Sequence, residues 1–219
     1  LIHSIQLELT GADVSFSAPL SFNAKIEQGD IFISDMFNLY KYENLLYTML
    51  LSGKEIKDFL EESYAGWTNQ MQFADDHLLL ITQRKDGNGY TFKNPSFNFD
   101  SAAGIIYTVD VSKPKGEKIS ILKMADGRPF EMDKQYKVAI NSYRGNGGGD
   151  LLTKGAGIPL NQLSSRIIAS TEKDLRYYLI QYVKSKGTIS PKAMNQWKMI
   201  PEEWVEKGKE KDSKLLFGK

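Results

Sequence analysis

The sequence predicts an α+β domain in which helices pack on a mixed sheet, and three observations carry that prediction. Strand-like apolar runs occur at Leu45–Leu51, Gly104–Asp110 and Tyr136–Ile140. Helical periodicity follows capping signals at Ser52 and near Thr171. The two kinds of signal are interleaved with no internal repeat, low-complexity tract or clean linker. One domain is therefore expected over 1–205, followed by a charged tail at 206–219 that reads as solvated or poorly ordered.

In chain order, Ile2, Ile5, Leu7 and Leu9 have a spacing that fits helix or strand, and Gly11 stops the element. Asp13–Ser17 alternates as a half-buried strand does. Ala18–Asn23 reads as a loop because Pro19 disfavours helix before it. Asp35 is the expected N-cap of a short helix carrying Met36, Phe37 and Leu39. Tyr40–Asn44 is a polar aromatic bend before the buried strand Leu45–Leu51. Ser52 and Glu55 form a capping box, and Ile56, Phe59, Leu60, Ser63 and Tyr64 share one helical face. Residues 66–100 are irregular, with turns at Gly87–Gly89 and Asn94–Pro95. Lys118–Met124 alternates as a strand, and Asp126-Gly127 signals a hairpin leading to Tyr136–Ile140. A last helix is expected from Thr171, with Asp174 at capping-box spacing, a face of Leu175, Tyr178, Leu179, Tyr182 and Val183, and Gly187 at its end. Trp197–Ile200 reads as a short strand.

The 219 residues include 28 basic and 27 acidic side chains, so no net field favours nucleic acid. There is no cysteine, which removes disulfides, thiol catalysis and thiolate metal sites. No apolar run approaches membrane-spanning length. The chain opens at Leu1 without methionine or signal peptide, as a fragment or processed product would. His3 and His77 are the only histidines, and no HExxH, paired-His or Ser-His-Asp set can be assembled. Asp75-Asp76-His77 has metal-ligating side chains but reads as a solvated turn before a strand.

The stretch Asn141–Asp150 follows the last of the three apolar runs, and four of its ten residues are glycine. Glycine lets backbone approach a ligand closely, and strand ends that open into such loops commonly hold small molecules. Tyr143 offers a ring that can stack on a nucleobase, and Arg144 a guanidinium that can stack or bind phosphate. The competing reading is a flexible hairpin loop with a core tyrosine at its base.

Three stretches in register carry a family resemblance: Leu39–Asn44 with the strand and Ser52–Glu61 after it, Phe97–Asp100 leading to Gly104–Pro114, and Asn141–Asp150. Their order and spacing resemble the C-terminal domain of the 5′-nucleotidase superfamily. The nearer branch is the bacterial 2′,3′-cyclic-nucleotide 2′-phosphodiesterase/3′-nucleotidases, whose loop also reads Asn-x-Tyr-Arg. The resemblance implies a nucleoside-binding domain in a periplasmic or secreted hydrolase. Two divalent metal ions and the catalytic set would sit on an N-terminal metallophosphoesterase domain absent from this chain. It implies a base sandwiched between Tyr42 and Tyr143, with the Asn44 amide against its edge. Arg144, Gly147, Gly148 and Asp150 are the remaining substrate-binding candidates; no catalytic or metal-binding residue is expected here.

Two departures matter. Ser17–Asn23 lacks the phosphate-binding Arg typical of the 5′-nucleotidase branch. Asp150 is followed by Leu151 where that branch reads Gly-Gly-Asp-Gly, which offsets its carboxylate. Arg144 stays open between binding ligand and pairing with an acid at the domain surface. The rival functions are a strict 5′-nucleotidase or nucleotide-sugar hydrolase domain, and a non-catalytic interaction module.

Overall fold

The computed structural model describes residues 1–20 and 25–218. Its first element settles an ambiguous spacing: Ile2–Thr10 is helix α1, ended by Gly11 at φ 59°. Strand β1 (Val14–Ser17) follows. The Ser21–Asn23 part of the expected loop lies outside the described residues. Helix α2 spans Ile33–Leu39, and here the expected cap is corrected. Asp35 lies inside the first turn, where its carboxylate accepts the Phe32 N–H at 2.7 Å. An acid at that position satisfies the helix start by reaching backwards.

Strand β2 (Leu45–Ser52) runs into helix α3 (Gly53–Trp67) through the expected capping box. Ser52 Oγ accepts the Glu55 N–H at 3.2 Å, and the Glu55 carboxylate accepts the Ser52 N–H at 2.7 Å. Ile56, Phe59, Leu60, Ser63 and Tyr64 are all buried, as their spacing predicts. A small hairpin, β3 (Ile81–Gln83) and β4 (Tyr90–Phe92), occupies the irregular region. Strands β5 (Ser101–Ala103), β6 (Ile105–Asp110), β7 (Ile119–Met124) and β8 (Gln135–Asn141) follow. A tight turn does form at Asp126-Gly127, with Gly127 at φ 94°, but β7 and β8 do not pair across it. Val138, Ala139 and Ile140 are apolar on both strand faces and buried, so β8 belongs in a sheet covered on both sides.

Short helices α4 (Ser142–Gly145) and α5 (Leu163–Arg166) flank the glycine-rich segment. The expected helix at Thr171 starts later. Residues Ile167–Asp174 form strand β9, in which Thr171 Oγ1 accepts the Leu46 N–H at 2.9 Å. Asp174 is itself the cap of helix α6 (Leu175–Lys186), accepting the Tyr177 N–H at 3.0 Å. Strand β10 (Trp197–Ile200) is as expected, and helix α7 (Glu202–Phe217) ends the described chain.

The strands form a five-stranded mixed sheet in the order β5-β1-β8-β2-β9 and a three-stranded sheet β10-β6-β7. The central β2–β8 pair is antiparallel with Leu46 opposite Asn141, while β1 and β8 run parallel. One face of the larger sheet buries Met49, Leu51, Val138 and Ile140 against Phe59 and Leu60 of α3 and Tyr107 and Val109 of β6. The other face presents Leu46 and Ala139 to Ile5 of α1, Met36 of α2 and Leu175 and Leu179 of α6. Burying both faces is what makes the central strands read as continuous apolar runs.

The charged segment from Glu206, expected as a solvated tail, is instead the body of α7. Its docking face is mixed: Trp204 and Val205 pack against the buried cluster of Met71, Leu78 and Val111. Gly208 sits against Leu78, where a Cβ would lie 2.7 Å from the Leu78 Cβ. One turn on, Asp212 is fully buried and accepts the Leu79 N–H at 2.8 Å, with His77 Nδ1 at 2.5 Å. The Asp75-Asp76-His77 turn therefore anchors a helix, and Asp76 accepts the Gln72 and Phe73 N–H groups.

Asp212→Ala strands a buried backbone N–H and removes the His77 partner, and should lower stability by about 2–3 kcal/mol in urea denaturation. A second expectation concerns pH. Burial pushes the His3 imidazole down from 6.5 to about 4, helped by the Leu1 amino charge and opposed by its bond to Ser15. The unfolded chain therefore takes up this proton at higher pH than the folded chain. The contribution of neutral His3 is full above pH 6.5 and is lost as pH falls toward 4. His3→Gln should remove about 1–2 kcal/mol of the stability difference between pH 7 and pH 5.

Candidate functional site

The pairing of β2 with β8 places the bend before one strand beside the turn after the other. With Leu46 opposite Asn141, residues 40–44 and 142–144 meet at one end of the sheet. Two hydrogen bonds tie these bends to their neighbours: Ser142 Oγ accepts the Leu45 N–H at 3.1 Å, and the Asn44 carbonyl accepts the Leu175 N–H at 2.8 Å. Between the bends lies a cavity of about 190 Å³ lined by Leu20, Tyr42, Asn44, Phe97, Asn141 and Tyr143. It joins three of the expected residues, Tyr42, Asn44 and Tyr143, and adds three that the sequence did not single out as site residues.

The glycine-rich segment is not a flexible hairpin loop. It coils as α4, a 3₁₀ turn at Gly148–Asp150 and a π turn at Leu151–Gly155. Asn141 caps α4, its Oδ1 accepting the Arg144 N–H at 2.9 Å. A Cβ at Gly148 would fall 2.4 Å from Tyr143 Cε2, so this glycine is the platform on which the tyrosine ring lies. Gly147 turns the chain at φ 93° and touches Leu160 and Leu163. Tyr143 is left 42% exposed, with Phe97 edge-on to it at 6.4 Å between centroids.

Of the two readings left open for Arg144, the structure shows pairing with an acid, Asp100, inside the domain and not at its surface. It is 1% exposed, and all three guanidinium nitrogens donate into the protein. Nε reaches Asp100 Oδ2 at 2.8 Å, and Nη2 reaches the same oxygen at 2.6 Å. Nη1 donates to Asn98 Oδ1 at 2.9 Å and the Gly148 carbonyl at 2.8 Å, while Nη2 also meets the Phe97 carbonyl. Burial pushes the Asp100 carboxyl up, and the guanidinium opposes that push. Gly149, at φ 73°, leaves room for this guanidinium, since a Cβ there would lie 2.1 Å from Nη1.

Asp150 likewise does not line the cavity. It is exposed and pairs with Lys154 at 2.5 Å, which holds its carboxyl below the usual range. Gly147 and Gly148 shape the wall from behind. Beneath the site, Tyr40 is almost fully buried; burial pushes its hydroxyl up to about 12, against hydrogen bonds from the Asn44 and Asn141 amides. Among the described residues there is no group of three or more His, Asp or Glu side chains that could hold a metal. The cavity is neutral, aromatic-walled and amide-edged. At about 190 Å³ it is smaller than the roughly 300–1,000 Å³ typical of drug-sized sites and suits one flat ring system with polar edges.

Phe97 was within reach of the sequence, since Phe97–Asp100 is one of the three stretches that carry the family resemblance. Asn141 carried the N-cap signal of Asn followed by a short helix. Leu20 carried no signal.

A family model described as the 5′-nucleotidase C-terminal domain matches residues 1–154. The chain is 32% identical over 194 residues to the trifunctional nucleotide phosphoesterase protein YfkN of Bacillus subtilis, spanning 83% of this chain and 12% of that protein. It is 31% identical over 199 residues to the 2′,3′-cyclic-nucleotide 2′-phosphodiesterase/3′-nucleotidase of Salmonella typhimurium, spanning 84% of this chain and 28% of that one. The chain thus corresponds to a minor part of each relative. A 5′-nucleotidase precursor from Thermus thermophilus shares the fold at TM-score 0.66 and 19% identity, over 92% of this chain and 34% of that one.

Replacing Arg144 by Met should leave the Asp100 carboxylate buried and unpaired, costing about 3–5 kcal/mol in chemical denaturation. A loss below 1 kcal/mol would mean that the guanidinium is not the tie described here.

Proposed function

The chain belongs to the 5′-nucleotidase C-terminal domain family, and from that membership we propose that its cavity binds the nucleoside end of a nucleotide, with the base between the rings of Tyr42 and Tyr143. The observation that carries this reading is the convergence of two tyrosines and the amides of Asn44 and Asn141 on one small neutral cavity. Aromatic faces stack on any base, and amides read its edge. The lining side chains are all neutral, and on this reading their role is to bind and orient.

On this reading the chain is the substrate-holding part of a nucleotide phosphoesterase of the 2′,3′-cyclic-nucleotide phosphodiesterase/3′-nucleotidase type. The name of the Salmonella typhimurium relative and the absence of an Arg in Ser17–Asn23 support that branch. Hydrolysis would be done by a metallophosphoesterase domain whose two divalent ions activate water. By itself this chain is expected to be inactive. The same reading places the enzyme in the periplasm or outside the cell.

The test is titration calorimetry of the 219-residue chain with adenosine. Binding is expected, and Tyr42→Ala and Tyr143→Ala should each weaken it about 5- to 100-fold, as the loss of one stacking partner does. Retained affinity in both variants would sink the sandwich.

A further inference from the structure

Phe97 lines the cavity with Tyr143, but the two rings are far from parallel: their planes meet at 80° with 6.4 Å between centroids. A base stacked on Tyr143 lies parallel to that ring, so Phe97 stands across the plane of the base and meets its edge. It is therefore not a third stacking partner. Its ring carries no strong donor or acceptor, so it reads no polar group either. What is left to it is to end the slot. The wall is also held firmly. Phe97 sits in the 3₁₀ turn Ser96–Asn98, which the Asn98 N–H closes onto the Pro95 carbonyl at 3.0 Å. The Phe97 carbonyl and Asn98 Oδ1 both accept from the buried guanidinium of Arg144. Phe99, on the far side of the turn, is 1% exposed and stacks on Trp67 at 5.3 Å and 4°.

We infer that Phe97 is a specificity-determining residue: its ring closes the slot in the plane of the base, so that the cavity takes one- and two-ring bases and rejects flat systems lengthened by a third ring. The inference rests on the nucleoside reading of the cavity and adds to it a size limit and the residue that sets it. A cavity of about 190 Å³ holds a base without its sugar, so the ribose stays at the mouth and the edge of the base away from it enters first. In 1,N6-ethenoadenosine a third ring is fused on that edge, and the molecule keeps a flat stacking face. A larger flat face stacks at least as well where space is open. A penalty against it that depends on Phe97 therefore comes from the wall.

Adenosine and 1,N6-ethenoadenosine, each titrated into the 219-residue chain, give the test. The unmodified chain should bind adenosine about 10- to 100-fold more tightly, the range that extra atoms cost in a packed site. Phe97→Ala removes the wall and should lower that ratio by about 5-fold or more. Phe97→Leu keeps a shorter apolar wall, should lower the ratio less, and carries the test if Phe97→Ala does not fold. The etheno ring also consumes the amino group of adenosine, but that loss is the same in every variant, so the change of ratio reports the wall alone. If Phe97 did no more than brace Tyr143, its removal would weaken both ligands alike and leave the ratio where it was. An unmodified chain that binds both nucleosides equally overturns the inference while nucleoside binding stands. So does a Phe97→Ala variant, or failing that a Phe97→Leu variant, that keeps the ratio. Failure of the unmodified chain to bind either nucleoside at millimolar concentration overturns the nucleoside reading and this inference together.

Discussion

A guanidinium buried between two loops fixes the shape of everything at the ligand end of this domain. Arg144 joins the segment 97–100 to the coil 144–149 through one carboxylate, one amide and two carbonyls. A buried ion pair of this kind adds little net stability against an apolar replacement of equal volume, because both charges lose their water. What it contributes is direction. A planar donor fork accepts only one arrangement of four acceptors, so Phe97 and Tyr143 are delivered to the same cavity at a set angle. Two glycines are consequences of that tie. Gly149 must leave space for Nη1, and Gly148 must leave space for the Tyr143 ring.

How much of this was legible depends on what each element buries. Strands β2 and β8 and helix α3 could be read directly because both sheet faces are covered and the α3 stripe is apolar. The capping box at Ser52 and Glu55 fixed a boundary to the residue. Strand β9 could not be read, since it is an edge strand with most side chains exposed, and its Thr171 serves the sheet through a hydroxyl. Helix α7 could not be read either. Its fully buried positions are a glycine and an aspartate, and its packed Trp204 and Val205 lie before the charged run, so the residues from Glu206 to Asp212 give no apolar signal. Its exposed faces carry i,i+4 pairs such as Lys207–Glu203 and Lys214–Glu210, and these look the same in a solvated tail.

The candidate site divides in the same way. Tyr42 and Asn44 came from a resemblance to a known family, Tyr143 came first from the glycine-rich stretch itself, and the structure brings all three to one cavity. Arg144 was ambiguous for a physical reason: a guanidinium that binds phosphate and one that binds a buried carboxylate have the same local sequence. The deciding partner, Asp100, is 44 residues away in the chain. Leu20 and Phe97 approach the cavity from separate loops, and only the register of β2 on β8 and the reach of Arg144 bring them together.

On the nucleoside reading proposed above, the chemistry of the cavity sets what its lining residues can contribute. Stacking surfaces and amides make interactions that are as strong on a bound substrate as on its transition state. Binding of that kind lowers the concentration at which a substrate is held and leaves the chemical barrier untouched. Lowering the barrier for phosphoryl transfer needs charge placed where charge develops, and the lining residues are all neutral. The Arg144 guanidinium is committed inside the protein, and Asp150 is committed to Lys154 at the surface. On that reading, such residues would hold and orient a base, and a reacting phosphate would be met by groups that they do not supply.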